Sequence, residues 1–134
     1  MNKVLIVHTS WYEDYISTMV DISIKSLEKD FKYDIAIAPG SIELAGLAKN
    51  KILQKKYVGI LFLGIVIRGE TSHYNLVTNE TFRSIGSLAE DFCDLAIINN
   101  VICVENEDQL KERLTKVTLN NSNALIELIN EKSS

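Results

Sequence analysis

Between Tyr57 and Ile67 the chain reads YVGILFLGIVI, eleven residues without a charged or amide side chain. A strand with one wet face alternates apolar and polar residues. This stretch does not alternate, so its core, Tyr57 to Leu63, is expected to be a strand covered on both faces, as in a parallel sheet. It falls well short of the roughly 20 residues that span a bilayer as a helix.

The rest of the chain is read against that strand. KVLIVH, residues 3 to 8, is a short β-branched run. In the following segment Ile16, Met19, Val20, Ser23, Ile24 and Leu27 recur at helical spacing, with Ser10 and Glu13 in the pattern of a capping box. YDIAIA, residues 33 to 38, is expected as a second strand, ended by Pro39-Gly40. Ser41 is expected to cap a second helix carrying Leu44, Leu47, Ala48 and Ile52 on one face. A third helix has Ile85, Leu88, Ala89 and Phe92 on one stripe. LAIINNVI, residues 95 to 102, is the fourth strand. Asn106 and Gln109 are placed to cap a fourth helix with Leu110, Leu114 and Val117 aligned. Asn120, Asn121 and Ser122 are expected to interrupt it, leaving ALIELI as a last short helix. The order β-α-β-α-β-α-β-α-α predicts a three-layer α/β/α domain around a four-stranded parallel, flavodoxin-like sheet, with residues 1 to 134 as one domain.

Composition narrows the function classes. A 46% hydrophobic chain of 134 residues supports a real core, and the formal charge of −4 gives no basic footprint for nucleic acid. MNKVLIVH is too short and wrongly flanked for a signal peptide, so a soluble cytoplasmic protein is expected, with no membrane partner. Cys93 and Cys103 match no metal spacing and are expected to be free buried thiols.

In a parallel sheet, ligands bind outside the carboxyl ends of the strands. HTSWYE, APGSIE, GIVIRGETSH and INNVICVE fall there. The third is crowded: GIVIRGETSHYNLVTNE, residues 64 to 80, places an arginine, a glutamate, a threonine, a serine and a histidine at one strand-to-helix junction. Neither Gly-x-Gly-x-x-Gly nor the Walker-type phosphate loop is present. Gly64 and Gly69 either permit a tight turn or let backbone N–H groups meet a phosphate. His73 is either a helix-start residue or a proton-transfer group, since imidazole carries protons in both directions near neutral pH. His8 ends a strand and reads as structural. Trp11 and Tyr12 either stack on a planar ligand or cover a core edge. Glu43 favours a helix dipole whatever its function, and Arg113 alone reads as a solvated arginine.

Taken together, these junctions resemble the 6,7-dimethyl-8-ribityllumazine synthase family of riboflavin biosynthesis over about residues 3 to 114. PGSIE, residues 39 to 43, resembles its Pro-Gly-(Ala/Ser)-(Phe/Ile)-Glu element. LGIVIRGETSHYNLVTNE, residues 63 to 80, resembles its long Leu-Gly-x-Val-Ile-Arg-Gly element, and ENEDQLKER, residues 105 to 113, its closing helix. The resemblance implies condensation of 5-amino-6-(D-ribitylamino)uracil with 3,4-dihydroxy-2-butanone 4-phosphate, releasing phosphate and water, with no metal or organic cofactor. It implies that Trp11 stacks on the pyrimidine and that Ser41, Ile42 and Glu43 hold the ribityl chain and ring edge. By the same resemblance Val66 and Ile67 would line the ring pocket through backbone groups. The resemblance further implies that Glu70 and Thr71 form the phosphate turn, that His73 is the general acid/base, and that Arg113 of a neighbouring subunit binds phosphate.

Three departures stand out. Ser10-Trp11-Tyr12 replaces an Arg-Phe-Asn, Asn99 stands where a neighbour's aromatic wall is usual, and LTKVTLNNSN replaces a Gly- and Lys-rich turn, with Lys116 out of register. The lost turn, and the chain's entry into strand one by Lys3, lead to the expectation of a homopentamer with shared sites rather than a sixty-subunit shell. The tail departures keep a non-catalytic flavin- or riboflavin-binding protein as the alternative. A signalling receiver domain is disfavoured, because His8-Thr9-Ser10 supplies no acidic cluster after strand one.

Overall fold

The computed structural model describes residues 2–70 and 72–134, with Glu70 described by its backbone alone. Four strands, β1 (Lys3–Thr9), β2 (Lys32–Ala38), β3 (Gly59–Ile67) and β4 (Ala96–Val104), alternate with α1 (Glu13–Leu27), α2 (Leu44–Ile52), α3 (Tyr74–Asp91) and α4 (Glu107–Ser133). All strand pairs are parallel, in the order β2-β1-β3-β4. Right-handed crossovers dictate the layers. The chain steps one way from β1 to β2, then back across β1 to β3 and onward to β4. That puts α1 on one face and α2 with α3 on the other, and α4 packs beside α1.

All nine residues of β3 are buried, as the unalternating run requires. Leu61, Leu63, Ile65 and Ile67 join Val4, Ile6, Met19 and Leu110 beneath α1 and α4. Ile60, Phe62 and Val66 join Leu5, Val7, Leu44 and Ile85 beneath α2 and α3. Each such side chain contributes about 1.5–3 kcal/mol when fully buried. Gly59 is fixed by packing: a Cβ there would lie 2.9 Å from Ile129 Cδ1 and 3.2 Å from the Ala96 carbonyl.

Several local expectations are corrected. β3 runs on to Ile67, four residues past its expected end, because Ile65, Val66 and Ile67 still find buried partners. The Ser10–Glu13 capping box does not form: Tyr12 is the N-cap of α1, in the left-handed region (φ 58°, ψ 55°), with no side-chain cap. Ser41 does not cap α2. It opens a 3-10 turn, Ser41–Glu43, from which α2 continues. Asn106 does cap α4, its Oδ1 accepting from the Gln109 N–H at 2.9 Å.

The largest correction is α4, which runs unbroken through Asn120, Asn121 and Ser122. Asparagine and serine weaken helices by competing for backbone groups. Here their side chains have other partners. Asn121 Nδ2 donates to Asn100 Oδ1 on β4 at 2.6 Å, and Asn100 Nδ2 donates to Thr118 Oγ1 at 3.0 Å. Ser122 Oγ donates back to the Thr118 carbonyl and lies 3.2 Å from Ser23 of α1. Nor are both cysteines buried. Cys93 is exposed in the turn after α3, and Cys103 is half-buried on β4.

Candidate active site

The strand order reverses between β1 and β3, and a parallel sheet opens a crevice where it does so. A cleft of about 330 Å³ lies there. Trp11 and Tyr12 line it from the end of β1, Gly40–Glu43 from the end of β2, Ile65, Val66 and Ile67 from β3, and Val77 from α3.

The left-handed Tyr12 turns the chain from β1 into α1. Such a backbone costs a non-glycine residue on the order of 1–3 kcal/mol and persists only where its surroundings enforce it. The two adjacent aromatics then part company. Tyr12 packs partly against the core beneath α1, whereas Trp11 is 66% exposed and so covers no core edge. Across the cleft, Val66 and Ile67 bury their side chains, and their backbone pairs with β4 on one side while β1 pairing has ended at Leu63 on the other, so the edge they turn to the cleft is backbone. Ser41 is half-buried, and Ile42 and Glu43 are exposed at the rim. Gly40 makes room for the carboxylate of Glu43, since a Cβ there would sit 3.0 Å from Glu43 Oε1.

Beyond Ile67 a 3-10 turn, Arg68–Glu70, leads toward α3. His73 is the N-cap residue of α3 and borders a smaller hollow of about 180 Å³ with Arg68, Ser72, Tyr74, Asn75 and Leu76. Thr71 and the side chain of Glu70 lie outside the described residues. Arg68 Nε donates to Glu105 at 3.0 Å, and its guanidinium lies 4.4 Å from the centre of the Tyr74 ring. Burial raises the Tyr74 phenol above its ordinary pKa, and the nearby Cys103 and Glu105 push it the same way. Burial pushes the Cys103 thiol up to about 11, which keeps it protonated and unreactive.

One chain therefore brings Trp11, Ser41, Ile42, Glu43, Val66 and Ile67 to a single cleft and His73 to the adjoining turn. Asn99 and Arg113 lie elsewhere. Asn99 is on β4, its Oδ1 accepting from the Val101 N–H at 2.8 Å, and Arg113 is exposed on α4. Sequence reading missed Ile65 and Val77 as lining residues; as apolar members of regular elements they carried no signal beyond core. It also missed Arg68, whose partner Glu105 is 37 residues away. Among the described residues no group of three or more histidine, cysteine or acidic side chains is placed to hold a metal ion.

An open parallel sheet with a mixed polar and apolar cleft at its switch point defines an α/β small-molecule-binding domain of the flavodoxin-like class. The sequence model of the 6,7-dimethyl-8-ribityllumazine synthase family matches residues 1–132. The enzyme of that name from Bartonella tribocorum is 38% identical over 115 residues, 82% of this chain and 74% of the relative. The one from Novosphingobium aromaticivorans is 34% identical over 111 residues, 81% and 78% of the two chains. The one from Neisseria gonorrhoeae is 29% identical over 132 residues, 96% and 83% of the two chains. The chain belongs to the 6,7-dimethyl-8-ribityllumazine synthase family, and is thereby an enzyme, a transferase of riboflavin biosynthesis.

Proposed function

We propose that this cleft and the turn beside it condense 5-amino-6-(D-ribitylamino)uracil with 3,4-dihydroxy-2-butanone 4-phosphate, giving 6,7-dimethyl-8-ribityllumazine, phosphate and water. The observation that carries the assignment of roles is the exposed Trp11 ring in one cleft with Val66 and Ile67, which lie where β3 has run past its pairing with β1 at Leu63 and keeps only β4 as a neighbour. That is a slot for a flat heterocycle with hydrogen-bonding edges. Trp11 stacks on the pyrimidine, the backbone of Val66 and Ile67 reads its edge, and Ser41, Ile42 and Glu43 hold the ribityl chain. The turn bearing Glu70 and Thr71 takes the phosphate through N–H groups.

The chemistry asks for little beyond placement. An amine attacks a ketone, and phosphate departs. Holding two substrates in register contributes several kcal/mol of the barrier reduction. His73 moves the protons, worth roughly 10²–10⁴-fold.

Arg113 and Asn99 do not reach the cleft of their own chain, so this reading gives them to a neighbour's site. Arg113 would clamp the leaving phosphate, and Asn99 would form part of the wall over the substrate. Each site is then built between two chains of this one-domain protein. A ring of five is favoured over a sixty-subunit shell because α4 is one unbroken helix where the shell-forming pattern has a Gly-rich turn. Among the described residues no helix is long and apolar enough to cross a membrane, and the cytoplasm is the proposed compartment. Nothing in the comparisons favours the non-catalytic alternative. Incubating the protein with both substrates while following lumazine absorbance and phosphate release tests the reading. Folded protein giving only the spontaneous rate would overturn it.

A further inference from the structure

The side chain of Arg68 does three things at once. It starts at the end of β3, its Nε donates to the Glu105 carboxylate where β4 passes into α4, and its guanidinium covers the Tyr74 ring at the first residue of α3. Tyr74 follows directly on His73, so the Arg68 contact ties the start of α3, where His73 is the N-cap residue, to the end of β3. Glu105 anchors Arg68 at the end of β4. The anchor is itself held, because the Glu105 N–H donates to Gln109 Oε1 at 2.8 Å and Asn106 caps the same turn of α4. An arginine fork spanning a carboxylate and an aromatic face is not replaceable by a lysine point charge.

We propose that Arg68 is a positioning residue for the condensation, acting through Glu105 and Tyr74 to fix the turn that carries His73, and that Glu105 is its obligatory partner. This rests on the functional reading above. It differs from a direct role for Arg68 on the phosphate. A guanidinium engaged by Glu105 and stacked on Tyr74 is already committed, and releasing it would add a free cation beside His73 while loosening the turn.

Glu105→Gln separates the two roles. If Arg68 positions the turn, Glu105→Gln and Arg68→Gln each lower kcat between about tenfold and a hundredfold, the range that small misplacements of reacting groups produce. The double variant is then no worse than either single one, and KM for the pyrimidine stays put. The charge swap Arg68→Glu with Glu105→Arg recovers part of kcat, and Arg68→Lys recovers less. An unchanged kcat in Glu105→Gln would overturn the proposal, and a lowered KM for the butanone phosphate would do so in favour of direct phosphate contact. A fall in Tm with kcat intact would overturn it in favour of a purely structural pair. Should the unaltered protein make no lumazine, the functional reading falls and amide exchange tests the clamp alone. Faster exchange between residues 68 and 74 in Glu105→Gln than in the unaltered chain supports it, and equal exchange overturns it.

Discussion

The two ends of the sheet are built on different terms. At the carboxyl end a left-handed Tyr12, the Ser41–Glu43 turn and a mostly exposed Trp11 line the cleft, and among the described residues α1, α2 and α3 begin without a side-chain cap, while α4 alone has one, Asn106. At the amino end Asp34 gathers contacts. It lies 3.4 Å from the ammonium groups of both Lys3 and Lys55, and the Tyr57 hydroxyl donates to it at 2.7 Å. A similar polar knot, Asn100 with Thr118 and Asn121, ties α4 to β4. The strained and open groups collect where a ligand can meet them, and stability is secured elsewhere.

That contrast can be broken by showing that a site residue carries stability or that a scaffold knot carries chemistry. The largest expected effect is at His73. His73→Ala should lower kcat by roughly 10²–10⁴-fold with Tm unchanged; steady-state kinetics with thermal melts decide it, and an unchanged kcat removes the proton-transfer role. Next is Arg113→Ala, expected to weaken the butanone phosphate by about 1.5–3 kcal/mol, the worth of a charged hydrogen bond, and to spare the pyrimidine. Titration of each substrate separately checks this, and equal losses on both would contradict the assignment. Light scattering bears on the same residue, since a shared site predicts a particle about five times the 15.1 kDa chain mass and a monomer would undo it.

The converse case is Asn100→Ala, which strands polar groups of α4 in a buried setting. It should cost about 1–3 kcal/mol in denaturant unfolding and leave kcat little changed; a catalytic defect at full stability would blur the contrast. The smallest effect is at the amino end. Burial, and then the Asp34 carboxylate, push the Tyr57 phenol up to about 12. A raised pKa contributes stability that is whole below the phenol's ordinary value near ~10 and disappears as pH climbs toward the folded one. The Tyr57 bond, the largest influence, and then Lys55 and Lys3 lower the Asp34 pKa. Its share is present above the ordinary carboxyl range and fades as pH falls through the folded value. Tyr57→Phe should therefore cost about 1 kcal/mol at neutral pH and flatten the alkaline limb of a stability–pH curve. An alkaline limb that survives in Tyr57→Phe has another origin.

Sheet, layers and cleft were legible because their signals are local and periodic. The unalternating YVGILFLGIVI announces a doubly covered strand, and RGETSH sits at its end. What failed depended on contacts the sequence does not place side by side. Asn121 looks like a helix breaker until Asn100, 21 residues earlier, takes its amide. Ser10 looks like a cap until the left-handed Tyr12 moves the helix start past it. Arg68 reads as part of a motif, and its bond to Glu105 crosses from one strand end to another. Arg113 and Asn99 are harder still, because the role proposed for them lies in the site of a second chain.

Helix α4 is, mechanically, a beam on three supports. At 1.5 Å per residue its 27 residues span roughly 40 Å. Asn106 and Gln109 grip one end, Asn100 holds the middle through Thr118 and Asn121, and Lys132 grips the far end by donating to the carbonyls of Cys93 and Leu95. Arg113 projects between the first support and the second. A rod held this way has little freedom to flex, so the root of that side chain moves only as its whole subunit moves. In the proposed shared site its distance from a group on another chain would then be fixed by the angle at which two rigid bodies dock, and alignment would become a property of the assembly rather than of the loop that receives it.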